Sequence, residues 1–108
     1  MTEHGEVDEV LAALADPTRR QLVDLLGERG EASATALAAA LPVSRQAVVK
    51  HLAVLENAGL VTSNRVGREV RFAIRSEPLA ATARWLASRA ARWDRRLAAI
   101  KRRAESGQ

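Results

Sequence analysis

The stretch from Ser44 to Glu56 constrains the fold more than any other part of the chain. Val48, Leu52 and Leu55 recur at spacings of four and three, which sets them in one stripe along a helix. Arg45, Gln46, Val49, Lys50 and Ala53 fall on the opposite side. Ser44 is suited to cap this helix, because its hydroxyl can accept from a free N–H of the first turn. Val43 before the cap and Val48 after it are close to the spacing of a hydrophobic staple. A helix divided in this way needs a core under one face and leaves the other free. The free face is basic and polar, with no acidic residue before Glu56. Arg and Gln at a helix start match base edges in the major groove, where each can make two hydrogen bonds. A solvated surface helix could carry the same residues, so the flanking segments decide.

Upstream, a loose tail is expected over residues 1–5, then a short amphipathic helix carrying Val7, Val10, Leu11 and Leu14. Asp16-Pro17 ends it and starts the next, since Pro at the first helical position loses only an N–H that has no partner there. Leu22, Leu25 and Leu26 face inward, and that helix stops near Arg29-Gly30. Arg19 and Arg20 could touch phosphate, but are assigned to local structure or solvent. Glu31-Ala32-Ser33 reads as an extended link, with Ser33 capping a third helix from Ala34 to Leu41. Leu41-Pro42-Val43 is then a tight turn into the central helix. Two short helices joined so form a helix-turn-helix, whose second member is the reader.

Downstream, Asn57-Ala58-Gly59 stops the reading helix, with Gly59 in a left-handed conformation. Residues 60–66 and 69–75 read as two strands. Val70, Phe72 and Ile74 alternate with Glu69, Arg71, Ala73 and Arg75, a period of two. Gly67-Arg68 is the hairpin tip. Arg65, Arg68 and Arg71 make this hairpin basic, and a basic hairpin behind a reading helix is a wing aimed at phosphate or the minor groove.

A last helix is expected from Glu77-Pro78 to about Ala104, roughly 40 Å long at the usual rise. Leu79, Ala83, Leu86, Ala90, Trp93, Leu97, Ile100 and Ala104 follow one another at alternating spacings of four and three, a sustained heptad-like seam. Trp85 sits on its flank, and arginines and Lys101 cover the other faces. This small chain cannot cover a seam of that length, and a second copy is the partner certain to be present. The expected fold is therefore mainly α with a small β-hairpin (α+β), in the order α-α-α-α-β-β-α. It forms one domain over residues 1–108, with its core in 7–75 and a dimerising helix over 77–104.

Composition narrows the function. The chain has 108 residues, a net charge of +4, few aromatics and no cysteine. Residues 1–31 carry eight acids and three bases, whereas residues 32–75 carry six bases and two acids. The positive field thus centres on the reading helix and the wing, as expected for a polyanionic partner. Without cysteine there is no disulfide framework and no thiolate metal site. The start is polar and acidic, unlike a signal peptide, and no apolar run reaches the roughly 20 residues of a membrane span. A cytoplasmic location and no membrane partner are expected.

Three groups of residues carry a family resemblance: Leu14-Ala15-Asp16-Pro17-Thr18-Arg19, then residues 43–52 from Val43 to Leu52, then Leu55 to Val61 with the Gly67-Arg68 wing. In order and spacing this sequence resembles the ArsR/SmtB family of bacterial winged-helix repressors. The ending, from Trp85 to Leu97, is similar to a metal-free subgroup. The resemblance implies a homodimer, joined through the first and last helices, that binds a palindromic operator in double-stranded DNA and represses transcription. On this reading Ser44, Arg45, Gln46, Val49, Lys50, Arg65, Arg68 and Arg71 face DNA. Val7, Val10, Leu11, Leu79, Ala83, Leu86, Ala90, Trp93, Leu97 and Ile100 form the dimer interface. Metal sensors of the family carry Cys-x-Cys ligands near the third helix, or His and acid pairs on the last. Neither is present here: the last helix lacks His, His4 lies in the tail, and His51 reads as a packed or hydrogen-bonding residue. No metal or cofactor is expected, and no small-molecule inducer can be named from the sequence. Two other classes compete. A winged-helix module for protein contact would normally show an apolar or acidic reading face. An enzyme would need a catalytic cysteine, a Ser-His-acid arrangement, a Gly-rich phosphate loop or a metal cluster, and the sequence shows none of these patterns.

Overall fold

The computed structural model describes residues 3–107, with side chains from Glu6 onward. Five helices and three strands follow in order: α1 (Glu3–Ala13), α2 (Pro17–Arg29), β1 (Glu31–Ser33), α3 (Ala34–Ala39), α4 (Arg45–Asn57), β2 (Val61–Val66), β3 (Glu69–Ile74) and α5 (Ser76–Ser106). The mainly helical architecture with a β-hairpin is the expected one, with two differences. The tail expected over residues 1–5 is helical from Glu3, and Met1 and Thr2 lie outside the described residues. So does the side chain of His4. Residues 31–33 are not a bare link but a strand, pairing antiparallel with β3 in the register Glu31↔Ala73, Ala32↔Phe72 and Ser33↔Arg71. The sheet order is β1-β3-β2.

Local chemistry places the boundaries. Asp16 caps α2 by accepting from the backbone N–H groups of Thr18 at 2.7 Å and Arg19 at 3.2 Å. Ser33 caps α3 through Ala36 N–H, and Ser44 caps α4 through Ala47 N–H, both at 3.1 Å. Gly59 ends α4 with φ at 78°, and Leu60 N–H returns to Leu55 C=O at 3.0 Å. This is the left-handed cap that glycine adopts without a Cβ clash.

One core joins these elements. Val48, Leu52 and Leu55 from α4 meet Leu22 and Leu26 of α2, Leu37 of α3, Val10 of α1, and Leu60 and Val61 at the start of the hairpin. Val43 packs on the same cluster, as the staple required. Burying each such side chain contributes about 1.5–3 kcal/mol. Arg19 ties the first helix to this core: its guanidinium donates to the C=O groups of Ala12 and Ala13 at the end of α1 and lies 3.3 Å from His51 Nδ1 on α4. Arg20 donates to Leu14 C=O at 2.6 Å. Both arginines therefore serve local structure, as expected.

The last helix behaves differently along its length. Near its start Leu79 touches the core, Ala81 and Thr82 are buried, and α1 packs alongside. From Ala90 to Gly107 every side chain is exposed. The protein is accordingly elongated, 71 × 31 × 20 Å.

Candidate nucleic-acid interface

The interface is built on the start of α4. The cap at Ser44 and the turn before it bring the first turn of the helix to the surface, with Ser44, Arg45 and Gln46 all exposed. Because Val48, Leu52 and Leu55 are fixed in the core, Val49 and Lys50 necessarily point outward with them. Arg45, Gln46, Val49 and Lys50 line one continuous shallow surface. Val49 is an apolar side chain, 43% exposed, set among cations.

The wing closes the other side. Val66 and Glu69 are paired across the hairpin, leaving only Gly67 and Arg68 in the loop. Gly67 has φ at 65°, and among the described residues only glycines take a positive φ. Glycine at the first central position is the arrangement of a type II′ turn, whose twist suits the strands. Arg68 is thereby held at the tip. Between wing and reading helix runs a groove of about 660 Å³ lined by Thr35, Arg45, Val49, Arg68, Val70 and Phe72, among others. Arg45, Val49 and Arg68, distant in sequence, thus share one groove.

The three wing arginines are not equivalent. In the β2–β3 register Arg65 lies opposite Val70, whereas Arg71 lies opposite Asn64. Directly opposed residues share a face, so Arg65 is on the Val70 face and Arg71 on the other. There Arg71 is half-buried between two carboxylates, with Nη1 at 3.1 Å from Glu31 and Nε at 3.0 Å from Glu69. These hydrogen bonds, Glu69 first and then Glu31, raise its pKa and lock it as a cation. Its charge faces these two carboxylates, and the pair with Glu31 links β3 to β1.

Two residues that sequence reading passed over stand at the site. Val70, counted only as a strand residue, lines the groove and is 44% exposed. The Thr35 hydroxyl oxygen accepts from Arg45 Nε–H at 3.1 Å. One hint of Thr35 was visible: it is the lone polar side chain in α3, which otherwise consists of Ala and Leu.

The residues expected at a dimer interface also divide. Val7 and Val10 are 1% and 0% exposed and are consumed by packing inside the protomer, so they offer no surface to a second copy. Leu11 remains exposed, as do Leu86, Trp93, Leu97 and Ile100, the last three more than half. Trp85 is half-buried, with the Arg89 guanidinium 4.7 Å over its ring.

Comparison with known proteins agrees with this geometry. A helix-turn-helix domain family matches residues 14–64, which include α2 to α4 and the start of β2. The solved structure of an ArsR-like transcriptional regulator from Rhodococcus sp. RHA1 is 50% identical, with a TM-score of 0.81 and 92% of each chain covered. The chain belongs to the ArsR/SmtB family. Among other relatives of this ArsR chain, the uncharacterized HTH-type transcriptional regulator YuzN of Bacillus subtilis is 43% identical over 82 residues, covering 70% of this chain and 89% of YuzN. The transcriptional repressor SdpR of the same organism is 28% identical over 80 residues, covering 74% of this chain and 88% of SdpR. This ArsR-family chain is a DNA-binding transcriptional regulator with a winged helix-turn-helix fold. No helix among the described residues is long and apolar enough to cross a membrane.

Proposed function

We propose that this ArsR-family regulator is a cytoplasmic homodimeric repressor that binds a palindromic operator and works without bound metal or catalysis. The observation that carries the DNA reading is the shared groove, where Arg45 and Val49 of α4 face Arg68 of the wing. In this reading Arg45, Gln46 and Val49 enter the major groove, Ser44 and Lys50 flank them, and Arg65 and Arg68 meet phosphate or the minor groove. Arg71 supports the wing from behind. The dimer reading is supported by the bare end of α5, whose Leu86, Trp93, Leu97 and Ile100 stay exposed in the protomer. Leu11 adds to the same interface from α1, and Leu79, Ala83 and Ala90 continue its line along α5. Two reading helices would then meet half-sites about 34 Å apart, one turn of the duplex. The similarity to SdpR supports repression as the outcome. The test is selection of bound duplexes from a random pool by the purified protein at fixed salt. The expected product is a two-fold symmetric consensus with half-sites one turn apart; an asymmetric consensus, or none, would overturn the reading.

A further inference from the structure

Arg45 is the first residue of α4, and its side chain does not hang free. Its Nε–H donates to Thr35 Oγ1 across the helix-turn-helix, ten residues upstream. Among the described residues no carboxylate forms an ion pair with Arg45, so its terminal nitrogens are not engaged by charge. A guanidinium can grip a guanine through Nε and one Nη, or end-on through both Nη groups. With Nε occupied by Thr35, the end-on fork remains, and it matches the O6 and N7 acceptors of guanine in the major groove. We propose that Thr35 is a positioning residue that orients Arg45 for an end-on, two-bond contact with one guanine in each half-site. This rests on the reading of α4 as the base-reading helix and adds the base it selects and the residue that aims it.

The chemistry favours threonine for this task. Its hydroxyl oxygen can accept from the guanidinium while its own O–H stays available. The β-branched side chain of threonine has few rotamers, and the helix restricts them further. An arginine otherwise loses much side-chain freedom on binding, and a preformed bond to Thr35 moves part of that loss ahead of the encounter with DNA.

The experiment uses the full chain and the duplex selected from the random pool. Affinity is measured for that duplex, for versions with the guanine replaced by adenine or by 7-deazaguanine, and for random duplex. Arg45→Ala should lower discrimination for the guanine on the order of tenfold. Thr35→Val keeps the shape but removes the acceptor, and should lower the same discrimination about threefold to tenfold while random-duplex affinity is unchanged. On 7-deazaguanine, which lacks N7, the difference between wild type and Thr35→Val should shrink toward none. Thr35→Ser should restore the wild-type preference. If Arg45→Ala costs discrimination but Thr35→Val does not, the positioning role is wrong while the reading helix stands. If Thr35→Val weakens all duplexes alike, its hydroxyl serves phosphate and the proposal falls. If Arg45→Ala leaves preference intact, the base reading and the proposal fail together.

Discussion

Gln46 stands beside Arg45 in the first turn of α4 with its side chain exposed, and its amide can pair with an adenine edge. Gln46→Ala should cost about 1–3 kcal/mol of discrimination at one or two operator positions distinct from those lost in Arg45→Ala. Binding by the two variants to a panel of single-base operator changes would show this; one shared position would mean that both read the same pair. A second residue acts on stability. The Asp16 carboxylate accepts from the backbone N–H of Arg19 and of Thr18, and these bonds hold its pKa below the usual carboxylate value. A depressed folded pKa stabilises the native state fully above the ordinary carboxylate range, and the gain is lost as pH falls through the folded value. Thermal melts of wild type and Asp16→Asn should therefore differ at neutral pH and converge in acid. A gap independent of pH would remove the charge from the explanation. At this scale the sequence was legible wherever a residue acts on its own neighbours: Ser44 and Asp16 cap as their positions require. Arg45 with Thr35, and Arg71 with Glu31, are pairs made by folding, and no local periodicity announces them.

The wing and the reading helix are legible as elements because each carries its own pattern, period two in β3 and the four-three stripe in α4. Strand β1 was not, for it has three residues and one buried side chain, Ala32. It exists only because β3, some forty residues on, offers an edge. That third strand has a consequence for charge. Arg68 at the tip has no carboxylate partner among the described ion pairs, whereas Arg71 is clamped by Glu31 and Glu69. Arg68→Ala should weaken specific and random duplex alike and lower the salt slope by about one. Arg71→Ala should leave the slope nearly unchanged and instead lower the melting temperature, by loosening β3 from β1. Titrations across a salt series separate the two, and equal slopes for both variants would mean that the clamp opens on DNA.

At the scale of the whole molecule, the proposed assembly rests on the seam of α5. Leu86→Glu with Leu97→Glu places two carboxylates on the face proposed to be buried, where a charge without a partner is costly. Light scattering should report a monomer whose helix-turn-helix remains folded, and operator affinity should fall by orders of magnitude, since the second module no longer binds at high effective concentration. A variant that stays dimeric would move the interface toward Leu11. Metals give a separate check. No group of three metal-ligating side chains gathers among the described residues, and stoichiometric zinc, cadmium or arsenite should leave operator affinity unchanged; a tenfold shift reversed by chelator would reverse that conclusion. The bare stretch from Ala90 to Gly107 carries a last implication. Most helical stability in a protein comes from packing of an apolar face, and this stretch packs on nothing within the chain, so in the dimeric reading its order depends on a second copy. Its backbone amides should exchange with solvent rapidly in dilute protein and slowly in concentrated protein, while those of α4 stay protected throughout. In the proposed dimer two chains must meet before that helix is firm, so operator occupancy should climb more steeply than in proportion to copy number, and the cell's stock of this protein becomes an input to its own control.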